Sequence, residues 1–227
     1  MKKKISKRFK KLVDSSKEKK VEKLEDAIKK VKENCTAKFD ESIDVSFNLN
    51  LKQKKEDITL RTVVKLPNGN GKKVRIAVLC EDNKIDEAKS AGAEIAGSES
   101  LINDITSGKI NFEKLVATPT MMPKMGKLGK ILGPKGLMPN PKLGTVTVDV
   151  KNAVKALKSG QIEIKNDKDG NVSASIGKKS FPDNKIIENF KTFLQTIEKE
   201  KPSGQKGEFI LSSFLTSTMG VSYKLKL

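Results

Sequence analysis

The chain has 227 residues, a formal net charge of +18 and 33% charged residues, which points to polyanionic partners and steep salt dependence rather than to any particular fold. It has no histidine, so the commonest general base and metal ligand are missing, and its two cysteines, Cys35 and Cys80, form no C-x-x-C pair that would suggest a zinc or redox site. No run approaches the ~20 apolar residues of a membrane span, and the basic start Met1-Lys2-Lys3-Lys4 lacks the apolar core of a signal peptide.

Residues 1–20 are lysine-rich, with Ile5, Phe9, Leu12 and Val13 spaced for one helical face: a basic arm, a short helix or a solvated tail. Val21, Leu24, Ala27, Ile28 and Val31 predict a second helix ending near Asn34. Ile43, Val45, Phe47, Leu49 and Leu51 then alternate with polar residues, which predicts a half-buried antiparallel strand. Leu60, Thr62, Val64 and Leu66 repeat that pattern after a polar break at 52–57. Pro67-Asn68-Gly69-Asn70-Gly71 is a strong stop.

The pattern changes at Arg75 to Cys80, a continuous apolar run of the kind buried on both faces. Helix 85–90, strand 93–96, helix 98–106 and strand 114–118 follow. Alternating strands and helices predict a small parallel sheet. A helix over 124–132, a pinned loop over 134–141, a strand over 144–148 and a helix over 152–158 complete this part. Antiparallel alternation then returns. Ile162 and Ile164 lead through Asp167-Lys168-Asp169-Gly170, read as a hairpin turn, to a return strand with Val172, Ala174 and Ile176. A helix capped at Asp183 or Asn184 and two strands, 207–216 and 221–227, end the chain.

The simplest assembly is a two-domain α+β / α/β protein. Residues 1–67 and 158–227 form a split antiparallel α+β domain, and 68–157 form an inserted Rossmann-like α/β domain. Both portions are basic. Two connections between them point to a hinge.

The stretch from Thr118 to Thr147 holds five of the eight prolines and four of the six methionines, and has no acidic residue. It lacks both the Walker spacing and the G-x-G-x-x-G fingerprint. Its core, GKILGPKGLMPNPKLGTVT, resembles the signature of the ribosomal protein L-one family. Ala37-Lys38-Phe39-Asp40-Glu41, Arg61 to Pro67, Ala117-Thr118-Pro119, Asn166-Asp167-Lys168, Ile176-Gly177-Lys178 and Ser217-Thr218-Met219-Gly220 resemble further family motifs in the family's order. Lys135 stands where the family usually has Arg, Thr62 where it has Gly, and the segment after Gly220 is shorter.

The resemblance implies a protein of the large ribosomal subunit with no catalysis and no cofactor, working in the cytoplasm on the ribosome and monomeric when free. It implies binding to rRNA of the mobile lateral stalk, help in releasing deacylated tRNA from the exit site, and repression of the chain's own mRNA leader. The RNA-binding residues it carries over are Lys38, Phe39, Lys165, Lys168, Lys178, Ser212, Thr218, Met219 and Gly220. Hydroxyls of Ser212 and Thr218 suit a ribose 2′-OH, lysines suit phosphates, and Gly220 permits close approach. From spacing alone Phe39 reads as core, Met219-Gly220 as a plain turn and Lys168 as an ordinary hairpin tip. The competing classes are an enzyme holding a phosphorylated ligand and a generic duplex nucleic-acid binder.

Overall fold

A computed structural model describes residues 6–16, 21–51, 60–202 and 207–226. The chain is mixed α and β and divides into two compact units, residues 1–71 with 162–227, and residues 72–161. The polar break at 52–57 lies outside the described residues, as does Ile5 of the first apolar face.

The split unit is built on β1 (Ser42–Leu49), the alternating strand. It lies between two antiparallel neighbours, β7 (Asn171–Lys178) and β8 (Ile210–Ser217), and β8 pairs in turn with β9 (Tyr223–Leu225). One face of this sheet carries Ile43, Val45, Phe47, Leu49, Val172, Ile176 and Leu215, all buried. Helices α2 (Leu24–Glu33) and α8 (Asp183–Lys199) supply the opposing apolar stripes, Ala27, Ile28 and Val31 from one, Ile186, Phe190, Phe193 and Ile197 from the other. Phe47 packs edge-on against Phe190, ring centroids 5.8 Å apart. The core therefore lies entirely on one side of the sheet. Helix α1 (Lys7–Ser15), capped by the Ser6 hydroxyl, buries Leu12 and leaves Phe9 and Val13 half-buried, so the basic arm is helical there.

Two antiparallel readings need correction. The strands flanking the Asp167–Gly170 turn do not pair with each other. β6 (Gln161–Lys165) pairs with β2 (Arg61–Lys65), whereas β7 joins β1. The turn forms: Asp167 Oδ1 accepts N–H groups of Asp169 and Asn171, and Gly170 takes φ 79°. Its exit is then drawn to β1, because the Leu49 N–H donates to the Gly170 carbonyl. Alternation fixes which way side chains face but not which strand is the partner. The last strand also starts later, at Tyr223.

The second unit has a three-stranded parallel sheet in the order β4 (Ile95–Gly97), β3 (Ile76–Leu79), β5 (Lys114–Ala117). All four residues of β3 are buried, as a central strand covered on both faces requires. Helices α3 (Ile85–Ser90) and α7 (Val150–Lys158) line one apolar cluster with Val78 and Val116. Helix α4 (Glu99–Thr106) lines another with Leu79 and Leu115. The expected strand over 144–148 is only an isolated bridge between Val146 and Ala117. The expected helix over 124–132 starts earlier and is broken. From Pro119 to Leu132 the chain makes 3₁₀ turns at Pro119–Met121 and Gly126–Leu128 and single α turns α5 (Met122–Met125) and α6 (Gly129–Leu132). Met121, Met125, Leu128 and Leu132 stay buried on one side throughout. Pro123 lacks a donor and glycines lower helix stability, so a continuous helix does not propagate.

Candidate nucleic-acid interface

The face of the split unit's sheet turned away from the core is mostly polar, with Phe214 as an apolar member. Ser42, Asp44, Ser46 and Asn48 of β1 alternate with its buried residues. Register places Ser173 opposite Ser46, and Asn171 and Ser212 on either side of Asn48. The Ser46 and Ser173 hydroxyls lie 2.8 Å apart, and Asn48 Nδ2 donates to Asn171 Oδ1 at 2.8 Å. Ser175, Phe214 and Thr216 complete the surface, each only half-buried. Hydroxyls both donate and accept, so this face offers both to a ribose edge.

One end of the face is a built cluster. Phe39 is 52% exposed and Met219 is 48% exposed. Phe39 is therefore not a core residue, against its strand-head spacing. Glu41, between them, is fully buried. Its Oε1 accepts the Ala37 N–H at 3.0 Å and its Oε2 accepts the Met219 N–H at 3.1 Å. One carboxylate thus ties the loop carrying Lys38 and Phe39 to the turn carrying Thr218, Met219 and Gly220. Burial pushes the Glu41 carboxyl up. The Ala37 and Met219 N–H groups, the Ser217 hydroxyl and the Arg8 charge outweigh this and hold it below its ordinary value.

Other bonds brace the same corner. Arg8 donates to the Thr36 hydroxyl and the Met219 carbonyl, both at 2.8 Å. Ser180 donates its N–H and hydroxyl to Asp40, and Lys178 Nζ reaches the Asp40 carbonyl at 3.4 Å. The Thr218 hydroxyl accepts the Ser42 N–H at 3.0 Å, so it also caps the start of β1. Lys38 is exposed and carries no ion pair among the described residues.

The remaining candidates lie elsewhere. Ser212 pairs with Asn48, six residues along β1 from Ser42, roughly 20 Å at the rise of a strand. There it also lines a cavity of about 630 Å³ with Leu194, Phe209 and Leu211. Exposed Lys168 sits on the turn leading into Asn171, so it shares that far end. Lys165 is exposed at the end of β6, in the two-stranded sheet. The structure thus gathers Lys38, Phe39, Lys178, Thr218, Met219 and Gly220 at one end of the polar face and leaves Ser212 and Lys168 at the other.

A family model described as the ribosomal protein L1p/L10e family matches residues 31–221. The chain belongs to this family. It is 58% identical over 223 residues to the large ribosomal subunit protein uL1 of Pelagibacter ubique (strain HTCC1062), covering 98% of this chain and 97% of that one. Proteins of the same name in Prochlorococcus marinus (strain NATL1A) and Synechococcus sp. (strain WH7803) are 50% and 49% identical, covering 98% of this chain and 94% of theirs. As a member of a ribosomal protein family, the chain is a ribosomal protein and not an enzyme. Among the described residues no helix is long and apolar enough to cross a membrane, and no group of acidic or cysteine side chains is placed to hold a metal.

Sequence motifs assign no role to Glu41, to Arg8 or to Ser42, Ser46, Asn48, Asn171 and Ser173 of the sheet face, and name only Ser212 from that row. The row had a signal: β1's polar positions are Ser, Asp, Ser and Asn, with none of the long charged side chains of an ordinary solvated strand. Gly220 has a steric reason to be glycine, since a Cβ there would sit 2.3 Å from Ser217 Oγ. Ser217 is itself buried, which limits where its hydroxyl can swing. Gly220→Ala is expected to lower the unfolding free energy by about 1–2 kcal/mol in the wild-type background and by much less in a Ser217→Ala background, where the hydroxyl it meets is gone. Urea midpoints in the two backgrounds decide the matter; an equal loss in both would mean that the clash is not the cause.

Proposed function

We propose that the chain is a structural constituent of the large ribosomal subunit that grips rRNA of the lateral stalk through the split unit, an α+β domain into which a Rossmann-like α/β domain is inserted. The observation that carries this reading is the corner described above. Phe39 and Met219 are apolar yet exposed, held by a buried carboxylate, and set at the edge of a hydroxyl-rich face with lysines around it. Exposed apolar groups held this rigidly suit the sugar and base surfaces of a folded RNA. Hydroxyls reading 2′-OH groups favour RNA over DNA, and lysines neutralise phosphate. On the ribosome in the cytoplasm, the protein stiffens the stalk while deacylated tRNA leaves the exit site. The same face binds its own mRNA leader and represses translation. The free protein is a monomer.

The test is affinity for the stalk rRNA. Met219→Ala is the cleaner variant, because its side chain is half exposed and its loss leaves no buried void. A tenfold or greater loss of affinity is expected, with the urea midpoint unchanged. Thr218→Ala is expected to lose a similar factor plus about 1 kcal/mol of stability, because its hydroxyl also caps β1. Unaltered affinity in both variants, or equal affinity of the wild-type chain for a matched DNA duplex, would reject the reading.

A further inference from the structure

One apolar side chain of the split unit's sheet is exposed where its strand should bury it. Ser213, Leu215 and Ser217 form the core-facing row of β8 and are all buried. Alternation puts Leu211 in the same row, yet it is 56% exposed. The cause is a β-bulge. Ser212 lies opposite Asn48 and Ile210 opposite Leu49, so Leu211 is an extra residue with no partner on β1. A bulge re-aims side chains and interrupts pairing. On the other side, β9 pairs with β8 only from Ser213 to Leu215. Among the described residues, Ile210 to Ser212 thus have no strand beside them there. An open backbone edge and an exposed leucine meet at one end of the sheet.

Both border the groove of about 630 Å³, a volume within the ~300–1,000 Å³ of small-ligand sites. Its lining includes half-buried Leu194, buried Phe209 and Leu225, and exposed Val21. Val21 is held in place by its neighbour: the Glu22 N–H donates to the Lys224 carbonyl, and the Glu22 carbonyl accepts the Lys226 N–H. The groove is continuous with the polar face. Ser212 belongs to both, and Lys224, opposite Phe214 on that face, lines the groove as well.

The charges around the groove say what enters it. Lys224 and Lys226 are exposed and have no ion-pair partner among the described residues. Glu198 and Glu208 share the lining with them. An acidic peptide would be repelled by the two carboxylates, and a basic one by the lysines. A nucleotide carries both complements. Its phosphate suits the lysines, and the exocyclic amino group of adenine, cytosine or guanine can donate to a carboxylate. Its base faces are apolar enough for Val21 and Leu211, and its edge can bond the open backbone.

We propose that this groove takes one unpaired nucleotide of the rRNA that lies on the polar face, its base laid against Leu211 and Val21. The inference rests on the reading of rRNA as partner and adds a base-reading contact at the end of the sheet away from Phe39 and Met219. An already unpaired base enters at little cost, since no pair has to open.

The experiment is chemical probing of unpaired bases in large-subunit rRNA bound by the full-length chain, with dimethyl sulfate for adenine and cytosine and kethoxal for guanine. Leu211→Ser is expected to re-expose one base that the wild type protects, to lower affinity several-fold and to leave the urea midpoint unchanged, because the side chain is already in solvent. Leu211→Phe keeps an apolar surface and is expected to keep the protection. Lys224→Gln is expected to lower the salt slope by about one unit. A Leu211→Ser chain that protects every base and binds like wild type would overturn the proposal. So would a loss seen only when other ribosomal proteins are present, which would make the groove a protein site. Met219→Ala, run alongside, keeps the two readings apart. If it binds rRNA like wild type, the sheet-face reading fails; if Leu211→Ser alone is silent, only the groove fails.

Discussion

Asn189→Leu is expected to lower the unfolding free energy by about 3 kcal/mol while keeping the branching and heavy-atom count of the side chain. Asn189 is a fully buried polar residue on the apolar stripe of α8. Its Nδ2 donates to the Gly69 carbonyl at 2.8 Å and to the Ile176 carbonyl at 2.7 Å, and its Oδ1 accepts the Asn68 N–H at 3.1 Å. One amide therefore fastens the chain, just before it leaves the split unit, to the sheet edge at Ile176. Leucine keeps the branched outline, adds bulk to a closed site, and strands two carbonyls and an N–H. Water can reach Asn68 and Gly69, which are half-buried, but not the buried strand residue, so part of the loss is recovered and part is not. Asn189→Asp should be worse at neutral pH, because a carboxylate would face two carbonyls. Burial and those carbonyls raise its pKa, so its penalty is present above the ordinary carboxylate range and shrinks as pH falls. Urea melts across pH measure both effects. A loss below about 1 kcal/mol for the leucine variant would mean that water replaces the amide.

The elements that sequence made legible are those whose environment repeats with a fixed period. β1 alternates without a break, β3 is apolar at every position, and α8 carries its stripe at Ile186, Phe190, Phe193 and Ile197, so facing and length could be read from spacing. Partners could not. The turn at Asp167–Gly170 has the chemistry of a hairpin and makes the local bonds of one, yet its second strand pairs with β1 along its length, from Asn171 opposite Asn48 to Lys178 opposite Ser42. That choice is made by contacts distant in sequence. The broken helix over 119–132 was half legible: its buried methionines and leucines keep helical spacing, whereas the conversion to 3₁₀ turns depends on local backbone energies that spacing does not carry. The candidate site divided in the same way. Phe39 reads as core because large apolar side chains at strand heads are usually buried, and only the folded corner shows it held in solvent. Glu41 closes a motif that resembles the family's, but the motif assigns it no role. Nothing local reveals that two backbone N–H groups, one of them 178 residues away, converge on it.

Glu41→Ala is expected to cost about 3 kcal/mol of stability and more than tenfold in rRNA affinity, the largest functional loss of any single change outside the contact surface. The carboxylate makes two charge-assisted bonds from a fully buried position, to Ala37 and to Met219. Removing it frees the loop bearing Lys38 and Phe39 from the turn bearing Thr218 and Met219, so RNA must then order both segments on binding. Glu41→Gln has nearly the same shape but only one acceptor. Its amide NH₂ would face one of the two N–H groups, so it should lose roughly half of the stability and a smaller factor in affinity. Glu41→Asp is one methylene shorter and cannot span both partners. The pH dependence separates an electrostatic tie from simple packing. Because the folded carboxyl lies below its ordinary value of 4.5, its contribution is fully present above that pH. It is lost as pH falls through the lower folded value. Wild-type and Glu41→Gln stability curves should therefore differ at neutral pH and converge in acid. Curves that stay parallel down to acid pH would show that shape, not charge, holds the corner. An Ala variant that is destabilised yet binds rRNA as tightly as wild type would show that the two loops are positioned by something other than Glu41.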